Sequence, residues 1–152
     1  MILNLGSGAF PMTPAVNVDR YTGDVQADLL DLPFRDGVAD AVYAIHVLEH
    51  FTPKQAIRFL RECYRVMKDH QRLVIEGPDI EKCASFYKSD GPGLARALYG
   101  DQDGKPEDAH RSGWWGDAVV DLCLRLGFQH PLLLPGERHG RPGRDYCVGV
   151  LK

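Results

Sequence analysis

The sequence predicts an α/β fold built on a mostly parallel sheet with helices on both sides. Three observations predict it. Short apolar runs bounded by Gly, Pro or Asp recur at residues 2–5, 15–18, 41–45 and 72–76, the pattern of strands buried on both faces. Between the last two runs lies a strong amphipathic helix signal, so strand, helix and strand make one right-handed crossover. The first two runs also end on residues suited to a ligand: Gly6 and Gly8 follow the first, and Asp19 follows the second. Open α/β sheets bind nucleotide-like ligands at such carboxyl edges.

The crossover helix carries its own start signal. Thr52 suits the N-cap, Pro53 the first helical position, and Gln55 completes a capping box with Thr52. Ala56, Ile57, Leu60, Cys63, Tyr64 and Met67 then recur at helical spacing, with Arg58, Arg61, Glu62, Arg65 and Lys68 on the outer face. Downstream, Asp79 caps a helix through about Tyr87, and a second helix over 116–126 ends at Gly127. Two last strands are expected at about 128–134 and 145–151. The stretches 100–113 and 135–144 read as loops.

Size and composition narrow the classes. A chain of 152 residues with 44% hydrophobic content fits one domain, residues 1–152, around one core. The net charge of −3 gives no footprint for general nucleic-acid binding, and the basic residues at 138–144 form only a local cluster. No apolar run approaches the roughly 20 residues that cross a bilayer, so no membrane partner is expected. The N-terminus reads directly as strand, without a targeting signal. Cys63, Cys83, Cys123 and Cys147 lie far apart with no C-x-x-C pair, which reads as reduced core thiols of a cytoplasmic protein.

The segments ILNLGSG, VNVDR and DLLDLPFRDGVADAVYAIHVLEH, in that order, resemble the class I S-adenosylmethionine (SAM)-dependent methyltransferases. The small type 11 kind is the nearest in wording, well over the first half of the chain and loosely over the second. The resemblance implies a Rossmann-like sandwich with a seven-strand sheet, mostly parallel, whose last strand, residues 146–151, runs antiparallel. It implies SAM as cofactor, held by Gly6, Ser7, Gly8, Asp19, Arg20, Asp28, Leu29 and His46. Asp19 would accept hydrogen bonds from the ribose hydroxyls. Asp28 and Leu29 would lie beside the adenine, and His46 would face the sulfonium. The expected reaction is methyl transfer to oxygen or nitrogen of a small-molecule or sugar-like acceptor. The alternative is a non-catalytic SAM- or nucleoside-binding module, or an interaction protein that keeps the fold.

One departure from the family stands out. Its familiar members carry a helix before the first strand and another between the glycine turn and the acid. Here the first strand begins at residue 2, a truncation at the N-terminus. Ten residues, with Pro11 and Pro14 among them, separate Gly8 from Asp19. Pro14 would break a helix there, so the nucleotide side should be more open.

Two other chemistries use similar runs. A dinucleotide-binding turn needs G-x-G-x-x-G opening a helix, and its third glycine position is Pro11 here. The run His46-Val47-Leu48-Glu49-His50 spells the H-x-x-E-H of one class of zinc peptidase. That chemistry needs both histidines on one face of a long helix, whereas the context is strand then turn, so no metal is expected.

Methyl transfer needs nucleophile and methyl group held about 3 Å apart, and a general base helps where the nucleophile is a hydroxyl or protonated amine. His46 and His110 are the candidates, His110 because the segment 110–115 resembles one that small relatives place over the active site. Trp114 is then a lid or substrate wall. Arg138, Arg141 and Arg144 either bind an acidic substrate or belong to a solvated loop.

Overall fold

The computed structural model describes residues 1–136, 138 and 142–152. Seven strands form one sheet in the order β3-β2-β1-β4-β5-β7-β6. These are β1 (Ile2–Leu5), β2 (Val16–Asp19), β3 (Val25–Gln26), β4 (Ala39–Ile45), β5 (Met67–Pro78), β6 (Gln129–Gly136) and β7 (Asp145–Leu151). The pairs β1–β2, β1–β4, β2–β3 and β4–β5 are parallel. Only β7 is reversed, antiparallel to both β5 and β6. Six strands therefore run one way and the last runs back, as the family resemblance implies.

Helix α1 (Pro53–Val66) links β4 to β5. Its capping box is present: Gln55 N–H donates to Thr52 Oγ1 over 3.4 Å, and Thr52 N–H donates back to Gln55 Oε1 over 3.1 Å. Ala56, Phe59, Leu60, Cys63 and Val66 are buried against the sheet, where Leu3, Leu5, Val42, Leu73 and Ile75 are fully enclosed. Each such large side chain contributes about 1.5–3 kcal/mol by leaving water. Met67, expected on the helix, opens β5 instead, and β5 extends past 72–76 at both ends, Met67 pairing with Ala39 on β4 and Gly77 and Pro78 with Tyr146 and Asp145 on β7.

Asp79 caps α2 (Ile80–Phe86) as expected, its Oδ1 accepting from Glu81 N–H at 3.1 Å and Lys82 N–H at 3.2 Å. Helix α4 (Gly116–Arg125) stops at Gly127, which takes φ +96°. Helix α3 (Gly91–Tyr99) was not foreseen. Two glycines and a proline in its first turn hid it, yet Asp90 Oδ1 caps it by accepting from Gly93 N–H over 2.9 Å. The expected loop 100–113 contains a 3₁₀ turn, Pro106–Asp108. Residues 135–136, expected as loop, belong to β6.

No helix forms between Gly8 and Asp19. Two buried amides hold that segment instead. Asn4 Nδ2 on β1 donates to Asn17 Oδ1 on β2 over 2.9 Å, and Met12 N–H donates to the same oxygen over 2.7 Å. Asn17 Nδ2 in turn reaches Met12 O and Ala15 O, both 3.3 Å, and Asp24 Oδ2 at 3.0 Å. Side chains thus supply the polar partners that a helix would give the backbone.

All four cysteines are free and buried. Among the described residues no helix is long and apolar enough to cross a membrane.

Candidate active site

A cleft of about 1230 Å³ opens at the carboxyl ends of β1, β2 and β4. Its first wall is the turn after β1. Gly6 sits at φ +68° and Gly8 at φ +47°, backbone conformations that favour glycine. Gly6 also has no room for a side chain, since a Cβ there would lie 2.5 Å from Val47 Cγ2. The turn is fastened to β2, because Gly6 N–H and Ser7 N–H both donate to Val18 O, at 2.7 and 3.2 Å. Ser7 Oγ is buried without a hydrogen-bond partner among the described residues.

Asp19 ends β2 facing this turn. Its Oδ2 accepts from Gly8 N–H over 3.1 Å, while Oδ1 accepts from Tyr21 N–H at 2.9 Å and Thr22 N–H at 3.2 Å. Asp28 is exposed just after β3, its Oδ1 accepting from Leu30 N–H over 2.9 Å. Leu29 is half-buried and packs on the core. Arg20 is exposed at the rim. All eight residues expected around the cofactor border this one cleft.

The segment after β4 forms the floor. His46 takes φ +55°, and Leu48–His50 is a single 3₁₀ turn. The H-x-x-E-H run therefore lacks the long helix that a zinc peptidase needs. His46 is held from both sides, with Nδ1 3.1 Å from Glu49 Oε1 and Nε2 3.0 Å from Asp145 Oδ2. Arg144 lies behind: its Nη2 donates to Asp145 Oδ2 at 2.8 Å and sits 3.2 Å from His46 Nε2, and its Nε also bonds Asp145. Burial alone would lower the His46 pKa, but hydrogen bonds to Asp145 and Glu49 carry it up to about 9. Burial opposes ionisation of Asp145 too, yet bonds from His46 and Arg144 hold its carboxyl below the usual range.

His110 does not border the cleft; His50 does. The two imidazoles meet edge to face with centroids 5.0 Å apart. His110 Nδ1 donates to Ala97 O over 3.1 Å, and burial lowers its pKa. Trp114, read from the sequence as a lid or substrate wall, packs partly buried against the core. Its Nε1 donates to Ser112 Oγ at 2.7 Å, and that hydroxyl donates to Phe51 O at 2.8 Å. This chain of bonds holds the 110–115 segment against the 3₁₀ turn, so Trp114 is a packing residue.

The arginines separate. Arg138 borders the cleft with its guanidinium 4.9 Å from the Tyr43 ring centroid. Arg144 is buried, not a solvated loop residue, because Asp145 and Tyr87 meet its guanidinium. Arg141 lies outside the described residues. Asp145 is the residue that sequence reasoning missed as part of the site, and Arg144, read from the sequence as a substrate-binding or loop residue, is its ionic partner. An ionic pair opening an apolar strand was the available signal, without any indication of its partner.

The sequence profile of a family described as "Methyltransferase domain" matches residues 11–75. No curated protein sequence matches the chain. Among solved structures, a SAM-dependent methyltransferase from Archaeoglobus fulgidus superposes with TM-score 0.68 at 16% identity, over 99% of this chain and 85% of that one. A SAM-dependent methyltransferase from Methanosarcina mazei gives TM-score 0.68 at 17% identity, over 99% and 91%. The Burkholderia thailandensis 1,6-didemethyltoxoflavin-N1-methyltransferase, solved with its substrate and S-adenosylhomocysteine (SAH), gives 0.66 at 15%, over 99% and 70%. At these identities the likeness is one of fold.

Proposed function

We propose that this chain is a SAM-dependent methyltransferase of the class I fold that methylates an oxygen or nitrogen of a small polar acceptor. The observation that carries this reading is that eight residues from three strand ends and the loop after β3, each expected at the donor, border a single cleft. In this reading Asp19 accepts from the vicinal hydroxyls of an adenosyl group, a charge-assisted arrangement. The Gly6–Gly8 turn lets backbone approach the ligand closely.

The rest of the cleft suits a polar acceptor. Lys105, Glu107, Asp108, Arg111 and Arg138 line it beyond the donor residues, and such charged groups favour hydroxyl, amine or anionic partners over apolar ones. Methyl transfer from a sulfonium is a displacement at an already activated carbon, so the protein's main task is holding the reacting atoms in line. His46 faces the cleft with both ring nitrogens occupied by carboxylates, an arrangement for orienting and carrying charge. His110 stands one ring behind His50, and the His50 imidazole borders the cleft in its place.

The test is a screen of small amines, alcohols and sugars with methyl-labelled SAM, following label in product and formation of SAH. Acceptor-dependent SAH release is the expected result. Tight SAM binding with no acceptor methylated, even with cellular extract present, would leave a binding module in its place.

A further inference from the structure

We propose that Glu49, His50 and His110 form a site for one divalent transition-metal ion at the floor of the cleft. Their ligand atoms all lie within 4.8 Å of one another. Zinc–nitrogen and zinc–oxygen bonds of about 2.0–2.2 Å put ligand atoms about 3.4 Å apart in a tetrahedron, so an adjustment of about an ångström closes the set. The rejected H-x-x-E-H reading required both its histidines on one helix. Here the second imidazole comes instead from a segment 60 positions on, at His110, brought in by Arg111 N–H and Ser112 N–H donating to Glu49 O at 2.7 and 3.2 Å.

Three independent features point to a cation. The first is the state of the ring nitrogens: His110 Nδ1 donates to Ala97 O over 3.1 Å and His50 Nδ1 to Ala109 O over 3.4 Å. Bonds of that kind set the tautomer, leaving each Nε2 as a lone-pair donor, which is how metal-bound histidines are oriented. The second is Glu49, 2% exposed, whose Oε2 has no hydrogen-bond partner among the described residues. A buried carboxylate with an unmet oxygen is costly, and the contact with His46 is at Oε1. The third is access, since His50 borders the cleft and an ion held beside it has open positions toward an acceptor.

Two imidazoles and one carboxylate select borderline ions such as zinc, cobalt(II) or iron(II) over calcium and magnesium, which prefer all-oxygen cages. Resting on the methyl-transfer reading, the ion would take the acceptor's hydroxyl as a ligand and lower its pKa. The bound hydroxyl gives its proton to water, its oxygen bonds the methyl carbon as the carbon–sulfur bond breaks, and SAH leaves neutral.

The experiment titrates chelator-treated protein with cobalt(II) and with zinc, by calorimetry and by the visible spectrum of bound cobalt. One ion per chain is expected, with affinity falling at least ten-fold in both His50→Ala and His110→Ala. The double variant His70→Ala/His130→Ala, which removes two exposed histidines away from the cluster, should bind as the parent does. SAM calorimetry on every variant reports the donor site separately. Metal binding without SAM binding would sink the methyl-transfer reading alone. SAM binding with no metal uptake, or uptake that neither cluster variant weakens, overturns the metal site. Should His110→Ala unfold, the milder His110→Gln decides in its place.

Discussion

Asp19 Oδ2 accepts a hydrogen bond from the Gly8 backbone N–H over 3.1 Å, so the acid at the end of β2 is tied directly to the glycine turn after β1. The same carboxylate takes two further backbone donors through Oδ1. One side chain therefore shapes the turn and keeps acceptor capacity to spare. Replacing Asp19 with Ala should weaken SAM binding by about 1.5–3 kcal/mol, the range for a hydrogen bond to a charged group. Calorimetry checks it. Unchanged affinity with lost stability would make Asp19 a turn residue only.

Ligand choice follows from the same turn. SAM and SAH should each raise the melting temperature, by mass action on the folded state, and NAD should not. The missing third glycine and the absent helix after Gly8 leave nothing to hold a pyrophosphate. A shift produced by NAD alone would reverse the assignment.

Asn17 should matter to stability more than its place beside a cleft suggests. Truncation to Ala strips Asn4 Nδ2 and Met12 N–H of their shared acceptor inside the protein. About 1–3 kcal/mol is expected for leaving such groups unpaired. Denaturant unfolding should show it as a lower midpoint, and a loss under half a kcal/mol would mean water replaces the amide.

Glu62 links α1 to the loop before β4. Arg65 Nε and Nη2 donate to it at 2.8 and 2.7 Å, and Leu32 N–H donates to its Oε2 at 2.8 Å. Hydrogen bonds from Arg65 are the main reason its carboxyl lies below the usual value, with partial burial opposing them. Because the folded pKa lies below the unfolded one, the stabilisation is full above the unfolded pKa of about 4.3 and is lost as pH falls through the folded value. The melting temperatures of parent and Glu62→Gln should differ at pH 7 and converge as the pH falls below the unfolded value and through the folded one. A gap that persists in acid would assign the effect to packing.

Much of this site was legible in the sequence because its signals are local. Gly6 and Gly8 mark a turn, Asp19 follows an apolar run, and Thr52 with Gln55 writes a helix start within four residues. Apolar periodicity likewise encodes which face each element buries, and so placed the crossover, whereas the reversal of the last strand was legible only through the family resemblance. What only the tertiary structure decided are the polar pairings across the chain. His46 meets Asp145 over a separation of 99 positions, and Asn4 finds Asn17 only once β1 and β2 pair in register. His110 reaches Glu49 and His50 because two backbone bonds pin its segment under the 3₁₀ turn. A charged or amide residue in a sequence shows that it needs a partner; which partner it obtains depends on how strands and loops are brought together by burial of the core between them.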